Sequence, residues 1–482
     1  MKIAAYIIGI LILTYIPLFH YLDVSAILMW DEAIYANNAL EMSVSKDFLI
    51  LKSNGEATLY NVKPPLVIWL QTFFTWIFGL NELAIRLPSA IAGFMTCLAI
   101  FFFSKKNLNI SIGFIAILIL VTSQGYIREH VTRTGDLDSV LVFFINIYTL
   151  LFWDYLINSK QKNIKQLALV GALVFGAFMS KSVVGLMPIL GLLLGAVFIK
   201  KMQFTISNPQ IYLIGISTLV LCGLYYVIRG LAVDDGYLDK VFFSEYSRFT
   251  INIMPYHEKP FLFYWNNLVT KHFPIYIYLL ILIPINWWGE NDKFRKISIL
   301  GVVFCLTYFL LISYPKVKLD WYDAPLFPIL SLLIAMSLYQ LIDVLKVKPI
   351  VRTIILGIIT TVLVIKPYYD VYQSNINTLP KIPFEYDGYA IKKMSKRYPE
   401  LSNCKVLMSV EHTEHIDQAN FYVKALNIEK DFNFEIIHDI NALKKGDFVI
   451  CSQPKNLETL NQHFNVKTID VFYKSKLLKV EF

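Results

Sequence analysis

Four carboxylates and one guanidinium, in two short stretches, are the first residues of this chain whose types and spacing could do chemistry. Asp31 and Glu32 are adjacent, and Asp136 and Asp138 follow Arg133 across a glycine. Grouped carboxylates can take a proton from an attacking hydroxyl or hold a divalent cation. An adjacent acid pair also commonly opens a helix, where negative charge is favourable. Asp31 and Glu32 alone therefore leave both interpretations open.

Three further stretches contribute basic and aromatic side chains. Lys63 precedes a Pro-Pro corner, which would fix the backbone while the ammonium stays free to meet a phosphate. The segment 230–271 and the turn 314–321, which continues into Tyr322, mix cations with aromatics, as suits phosphate and sugar hydroxyls. Each stretch alone could equally be an interface anchor or a solvated cap. The candidates in these last two stretches are Arg248, His257, Tyr264, Lys316, Lys318 and Tyr322.

The elements that must position these residues are membrane helices. Of the 482 residues, 56% are hydrophobic and only 17% are charged, whereas soluble proteins carry about 25% charge. This composition excludes an ordinary cytosolic enzyme. Recurring apolar stretches predict about eleven transmembrane helices, within a range of 11–13, and the segment 30–78 predicts amphipathic juxtamembrane helices. The predicted spans are 3–22, 85–104, 110–127, 138–157, 165–180, 183–199, 209–229, 272–288, 297–313, 322–345 and 350–368.

The charges of the connecting loops predict which side of the membrane each loop faces. If the first span runs from inside to outside, the short Lys-rich and Arg-rich loops all fall on the cytoplasmic side, as the positive-inside rule requires. The same arrangement places the loops 23–84, 128–137, 230–271 and 314–321 on the outer face. Ionisable groups gathered on one face of a membrane protein favour a functional site there.

A soluble tail follows the predicted membrane domain, which spans 1–368, and a linker, 369–385. Residues 386–482 hold 27 of the 80 charged residues. Their alternating strand and helix patterns predict a small extracytoplasmic α/β domain, in which Cys404 and Cys451 could pair. The predicted strands are 405–410, 434–438, 447–451 and 466–472, and the predicted helices are 415–425 and 452–463.

Other partners find little support in the sequence. His412, Glu414 and His415 resemble a metal cluster but lack further ligands, which favours a solvated role. The chain has no basic run, so we expect no nucleic-acid partner.

Taken in order, the polar motifs resemble those of the polytopic glycosyltransferases that use polyprenyl-phosphate sugars. This C-type glycosyltransferase superfamily contains the protein O-mannosyltransferases and the lipid A aminoarabinose transferase. The resemblance covers roughly residues 25–330. The matching segments are Asp31-Glu32 with Tyr35, Asn54-Gly55, Lys63-Pro64-Pro65-Leu66, Arg86-Leu87-Pro88-Ser89, Arg133-Thr134-Gly135-Asp136 with Asp138, Lys181, Arg248-Phe249 with His257 and Pro260-Phe261, and Lys318-Leu319 with Tyr322.

The resemblance implies a fold, a chemistry and a set of site residues. It implies that Asp31 lies at the catalytic centre with Asp138 close by, and we add Glu32 and Asp136 as catalytic candidates. Candidates for binding the donor phosphate are Lys63, Arg133, Lys181, Arg248, His257, Lys316, Lys318 and Tyr322. Supporting candidates are Tyr35, Arg86 and Tyr264.

Three departures from the superfamily pattern bear on cofactor and substrate. Relatives usually have a Glu before Lys-Pro-Pro, where this chain has Val62, and often an Arg where it has Ile34. Whether the site uses a divalent cation therefore stays open, and a cation held by a Glu at position 62 is not expected. The common Lys-Gly is Lys181-Ser182 here, which keeps the cation but loses backbone freedom.

The expected function is transfer of a sugar from a polyprenyl (undecaprenyl) phosphate donor to an extracytoplasmic acceptor in the bacterial inner membrane, with inversion at the anomeric carbon. Lipid A is one acceptor, and a protein or a cell-surface glycan is the alternative. A transporter of lipid-linked sugars is a weaker hypothesis, because no charges stand at mid-span. An inert scaffold whose tail binds a partner is a third.

Overall fold

The computed structural model describes most of the chain, and the following account concerns those residues. They are 2–128, 130–158, 163–233, 235–250, 257–288, 291–377, 379–380, 382–408 and 416–481, and the side chains of 2, 3, 246, 248–250 and 384 are outside the description.

Helices make up most of the described chain, which confirms the predicted α-helical fold class. They are α1 (Lys2–Leu18), α2 (Asp31–Ser45), α3 (Leu66–Phe78), α4 (Glu82–Asn107), α5 (Ile110–Val121), α6 (Gln124–Ile127), α7 (Asp138–Asn158), α8 (Ile164–Lys181), α9 (Pro188–Phe198), α10 (Met202–Ile206), α11 (Pro209–Ala232), α12 (Tyr237–Thr250), α13 (Phe263–Asn267), α14 (Ile285–Trp288), α15 (Asp292–Ser313), α16 (Leu326–Asp343), α17 (Pro349–Ile376), α18 (Tyr386–Arg397), α19 (Asp417–Lys430) and α20 (Pro454–His463). Short 3-10 turns cover Ser182–Leu186, Ile277–Leu282 and Asp320–Asp323, and a π turn covers Leu268–His272.

Asparagine side chains start several of the apolar helices. The side chain of Asn81 accepts a hydrogen bond from the backbone of Ala84 at the start of α4, and Asn109 does the same for α5. Asn163, Asn208 and Asn291 cap α8, α11 and α15 in this way. A cap satisfies a backbone N–H that the helix itself cannot pair.

Seven described helices are long and apolar enough to cross a membrane, or eight if one bent pair counts as a span. The seven are α4, α7, α8 with the turn after it, α11, α15, α16 and α17; the bent pair joins Phe263–His272 to Ile277–Trp288 at 111°. The predicted spans 3–22, 110–127 and 183–199 contain the shorter apolar helices α1, α5 and α9. The count of eleven spans therefore stays a prediction.

The main core lies where α7 packs between α4 and α8, with α16 buried along almost its whole length. In contrast, α11 and α17 are buried over only 17% of their apolar windows, so they face outward as lipid-facing helices do. Between α2 and α3 the chain forms only a short hairpin, β1 (Lys52–Ser53) with β2 (Glu56–Ala57). The segment 30–78 is thus built mainly of two helices, as expected.

The tail forms an α/β domain, which confirms the predicted fold of this part. Its sheet has the order β4-β3-β5-β7-β6, from β3 (Asn403–Leu407), β4 (Asn433–Ile437), β5 (Phe448–Cys451), β6 (Val466–Phe472) and β7 (Ser475–Val480). β3 runs parallel to both β4 and β5, and β7 runs antiparallel to both β5 and β6. β7 was not among the predicted strands.

Cys404 and Cys451 are free thiols and do not form the disulfide considered above. They occupy neighbouring parallel strands, but Cys451 stands opposite Leu407 rather than opposite Cys404. Burial raises the pKa of each thiol to about 12, so both are protonated and unreactive.

The tail docks on the first loop of the membrane domain through α19. The hydroxyl of Tyr422 donates to Glu82 at 2.5 Å and accepts from the backbone N–H of Ile27 at 2.8 Å. The side chain of Gln418 donates to the carbonyl of Ile27, and Lys424 pairs with Glu41 at 2.6 Å. These contacts lie next to α2, so the tail helps to hold the helix that begins with Asp31.

We predict that Tyr422→Phe lowers the stability of the folded chain by about 1–3 kcal/mol, because it leaves a buried N–H and a buried carboxylate oxygen each short of one partner. The measurement is thermal unfolding of the full chain in detergent. Tyr278→Phe is the matched control, since Tyr278 is 68% exposed. Equal unfolding temperatures for the two variants would contradict the docking role.

Candidate active site

A buried ion pair joins the first loop to α4. The guanidinium of Arg86 donates to both carboxylate oxygens of Glu32, at 2.7 and 2.9 Å, and both side chains are almost completely buried. Arg86 also donates to the carbonyls of Leu22, Ser25 and Ala26 at 2.7–3.0 Å. The turn between α1 and α2 therefore wraps around this guanidinium.

The same carboxylate holds the second acidic loop. Glu32 accepts hydrogen bonds from the backbone N–H groups of Gly135 at 2.8 Å and Leu28 at 2.7 Å. Gly135 is packed so closely that an added Cβ would lie 2.4 Å from Ile85 and 2.9 Å from Gln71. Only glycine fits there, and the tight approach brings Asp136 and Asp138 toward the start of α2.

A cluster of two carboxylates and one imidazole forms at this junction. One ligand atom each from Asp31, His130 and Asp136 lies within 4.8 Å of the others. His130 Nδ1 lies 3.1 Å from Asp136, and the ring stacks on Trp321 at 3.7 Å between centroids. Two carboxylates and an imidazole are suitable ligands for a divalent cation. The residues present thus fit a metal ion without the missing Glu at position 62.

The charges of this cluster reinforce one another. Burial opposes a charge on His130, but the carboxylates of Asp136, Asp31 and Asp138 prevail and raise the pKa of its imidazole to about 9. Burial also opposes a charge on Asp136, yet His130, Thr134 and Lys181 lower the pKa of this carboxyl below its usual value. The imidazolium of His130 therefore offsets part of the carboxylate charge, and a cation that uses His130 as a ligand would first have to displace its proton.

A second buried pair lies beside the cluster. The ammonium of Lys181 donates to both oxygens of Asp138, at 2.6 and 2.7 Å, and stands 5.1 Å from the ring centre of Tyr322. Tyr35 completes this wall: burial first, and then Asp31, Asp136 and Asp138, raise the pKa of its phenol well above the ordinary value. The phenol therefore stays protonated and can donate a hydrogen bond.

Ser182, which stands where relatives have a glycine after Lys181, adopts an unfavourable backbone conformation. Its φ is 60° and its ψ is −143°, a conformation that glycine adopts far more readily. The Ser182 hydroxyl lies 2.7 Å from that of Tyr226, which helps to hold the residue in place.

Several predicted phosphate ligands lie apart from this cluster. Lys63 forms an ion pair with Glu245 of α12. Arg133 donates to the carbonyls of Pro17 at 2.9 Å and His20 at 2.7 Å, at the end of α1.

Near the turn after α15, the candidate phosphate ligands likewise form hydrogen bonds to backbone carbonyls. The ammonium of Lys318 donates to the carbonyls of Lys259, at 3.0 Å, and Pro315. The phenol of Tyr264 donates to the carbonyl of Leu319 at 3.1 Å. Lys316 is exposed on this turn, and His257 is exposed on the segment before α13, where its carbonyl accepts from the N–H of Lys318 at 3.0 Å. The side chain of Arg248, and the residues His412, Glu414 and His415, lie outside the described part of the chain.

Sequence reasoning missed His130 and the use of Trp321 as its stacking partner. A single histidine six residues before Asp136 gives little signal by itself. The clue was that it lies in the same predicted outer loop as Asp136 and Asp138, among the carboxylates that a metal site would share.

Comparisons with known proteins confirm the expected resemblance. The sequence profile of the dolichyl-phosphate-mannose-protein mannosyltransferase family matches residues 62–226. An undecaprenyl phosphate-alpha-4-amino-4-deoxy-L-arabinose arabinosyl transferase of Wigglesworthia glossinidia brevipalpis is 25% identical over 73% of this chain. The match spans 62% of that transferase, so this chain covers less than two thirds of its length.

Two solved structures share the fold. ArnT from Cupriavidus metallidurans, bound to undecaprenyl phosphate, aligns with a TM-score of 0.68 and 13% identity over 99% of this chain and 97% of that one. The Archaeoglobus fulgidus oligosaccharyltransferase, tethered to an acceptor peptide, aligns with a TM-score of 0.54 and 11% identity over 91% of this chain and 64% of that one. The chain is a multi-pass membrane protein that resembles the C-type glycosyltransferase superfamily.

We predict that Glu32→Gln destabilises the fold by about 3–5 kcal/mol, because it leaves the Arg86 charge buried without its partner. The measurement is thermal unfolding in detergent, with the exposed Glu56→Gln as the control. A variant that unfolds like the wild type but has lost activity would instead assign Glu32 a direct catalytic role.

Proposed function

We propose that this protein is a membrane glycosyltransferase that moves a sugar from a polyprenyl-phosphate donor to an acceptor on the outer face of the bacterial inner membrane. The observation that carries the proposal is the convergence of Asp31, His130, Asp136, Asp138 and Lys181 at one junction of the outer-loop segments and α8. The relatives named above, one an arabinosyl transferase acting with undecaprenyl phosphate, support the donor class.

The chemistry needs positioned charge more than a covalent intermediate. A sugar on a polyprenyl phosphate already carries a good leaving group, so the site must stabilise the phosphate charge that develops and align the acceptor. The ammonium of Lys181 is held rigidly by Asp138 and faces Tyr322, which places a fixed positive charge at the cluster. The phenol of Tyr35 adds a neutral donor beside it.

The transfer is a single displacement. The acceptor oxygen forms a bond to the anomeric carbon while the bond from that carbon to the phosphate oxygen breaks, and the polyprenyl phosphate leaves with the electron pair. Attack from the side opposite the phosphate inverts the anomeric configuration. If the acceptor is a hydroxyl, Asp31 takes its proton; if the acceptor is a phosphate, as on lipid A, no base is needed.

A divalent cation fits the triad of Asp31, His130 and Asp136. Such an ion supplies fixed positive charge for the departing phosphate. Asp31 would share in holding the ion and keep its role toward the acceptor hydroxyl, because a carboxylate has two oxygens. His130, in its deprotonated form, would be the nitrogen ligand of that set.

The acceptor is lipid A, or alternatively a protein or a cell-surface glycan. A transporter of lipid-linked sugars fits the site less well, since the carboxylates and Lys181 form one fixed, ion-paired cluster rather than a row along a pathway.

We predict that Asp31→Asn reduces sugar transfer in cells about 100-fold or more, as expected for loss of a positioned carboxylate. The measurement is mass spectrometry of total lipids and lipid A from cells carrying the wild type, a deletion or Asp31→Asn at matched protein levels. The deletion and Asp31→Asn should both accumulate the polyprenyl-phosphate sugar while one acceptor loses that sugar's mass. Asp292→Asn is the matched control, because Asp292 pairs with Arg295 and Lys296 on a half-exposed helix start.

Three results of this experiment would distinguish between the hypotheses on the reaction, the acceptor and the role of Asp31. An unchanged donor pool in the deletion would contradict the transferase. A donor that accumulates without a change in lipid A would exclude lipid A as acceptor and favour a protein or glycan. Normal transfer by Asp31→Asn would remove Asp31 from the chemistry.

We also predict that His130→Ala lowers the affinity for a divalent cation by about tenfold or more. The measurement is cation content by elemental mass spectrometry after dialysis against trace Mg²⁺, Mn²⁺ or Zn²⁺, with no turnover required. His463→Ala, an exposed imidazole of the tail, is the control. Equal cation content in wild type and His130→Ala would overturn the cation site.

A further inference from the structure

A polar cavity of about 310 Å³ lies behind Arg86, apart from the acidic cluster. Its walls come from the turn after α1, from α4, from α6 with the loop that follows, from the end of α17, and from α18. Asp31, His130 and Asp136 do not line it. The proposed transfer reaction makes no use of this space.

The cavity is lined by guanidinium groups and by no carboxylate among its described lining residues. Arg86, Arg128 and Arg133 all reach it. Arg86 is neutralised by Glu32. Within the described part of the chain, neither Arg128 nor Arg133 has an ion-pair partner, so both guanidinium groups bring positive charge to the cavity there. Isolated charges of one sign in a recess attract a ligand of the opposite sign.

The backbone at the end of α1 holds Arg133 in this orientation. Its guanidinium donates to the carbonyls of Pro17 and His20, which fix the plane of the group but carry no negative charge. Burial, followed by repulsion from Arg86, lowers the pKa of Arg133 to about 9. A bound anion would relieve that repulsion.

Neutral donors surround these charges. They are Tyr21, Ser25, Gln124, Ser374, Asn377 and Tyr389. Amides, hydroxyls and a fixed guanidinium together match the several oxygens of a phosphate, which arginine binds through paired hydrogen bonds. The cavity also adjoins the ends of the apolar helices α1 and α17, the level at which lipid phosphates lie.

We infer that this cavity is a binding site for a phosphate group, carried by a lipid headgroup or free in solution, with Arg128 and Arg133 as its cationic ligands. Arg133 thus acts here rather than on the phosphate of the sugar donor. The site is defined by its own side chains, and its occupancy does not depend on the transfer reaction.

The test measures binding to the full chain in a non-ionic detergent without turnover. The probes are inorganic phosphate, dihexanoyl phosphatidic acid and, as the matched lipid without phosphate, dihexanoyl glycerol, all at equal ionic strength. The readouts are the shift in unfolding temperature and the dissociation constant. Arg128→Gln is the main variant because the Arg128 side chain is exposed. Arg133→Gln is the second variant, and the half-exposed Arg295→Gln is the matched control.

We expect phosphatidic acid to bind and to stabilise the chain, and Arg128→Gln to weaken that binding about tenfold, the loss of one charge-assisted hydrogen bond. Arg295→Gln should leave it unchanged. Equal binding of inorganic phosphate would identify the free anion as sufficient, and binding of phosphatidic acid alone would identify the lipid as the source. Equal binding of dihexanoyl glycerol, or an equal effect of Arg128→Gln and Arg295→Gln, would overturn the proposal.

The test also separates this site from the transferase. Asp31→Asn should abolish transfer and still bind phosphatidic acid as the wild type does. Binding that survives while no variant changes any sugar acceptor would leave the cavity assigned and remove the proposed reaction.

Discussion

A charge taken out of water must be met by an opposite charge and by hydrogen bonds, and Glu32 meets that demand only when three parts of the chain are together. Arg86 comes from α4, the N–H of Gly135 from the second acidic loop, and the N–H of Leu28 from the turn before α2. Asp31 is the neighbour of Glu32, and Asp136 is the neighbour of Gly135. Glu32, whose carboxylate is fully used in holding the loops together, therefore sets the positions of Asp31 and Asp136, the carboxylates that could do chemistry.

Hydropathy and residue pattern predicted the elements better than they predicted the contacts. The long apolar stretches, such as those of α7 and α15, read clearly as helices, because burial in lipid demands an unbroken apolar run. The shorter α1, α5 and α9 show that such a run can contain a helix too short to count as a span by itself. In the tail, β7 was missed since its sequence, Ser-Lys-Leu-Leu-Lys-Val, does not alternate regularly between polar and apolar residues.

Cations were the hardest side chains to place from sequence. Their types suggested phosphate ligands, yet Lys63 faces Glu245, and Lys318 faces backbone carbonyls. Arg133 turns toward the end of α1. A long flexible side chain can reach either side of a loop, and its partner is often a residue distant in sequence, which the local pattern does not reveal. Lys181, by contrast, lies at the end of α8 and pairs with the Asp138 carboxylate, and its role toward a phosphate stays a prediction.

The docking of the tail sets an order on the biosynthesis of this protein. Asn37 of α2 donates to the carbonyl of Asp417, and Tyr422 accepts from Ile27, across separations of 380 and 395 residues. The first loop thus leaves the ribosome long before the residues that will cover it. Until α19 has been synthesised, the helix that carries Asp31 lacks these partners. The first loop acquires these contacts only after α19 has been synthesised, so a product that terminates before α19 would keep the helices of the membrane domain and lack these contacts to the first loop.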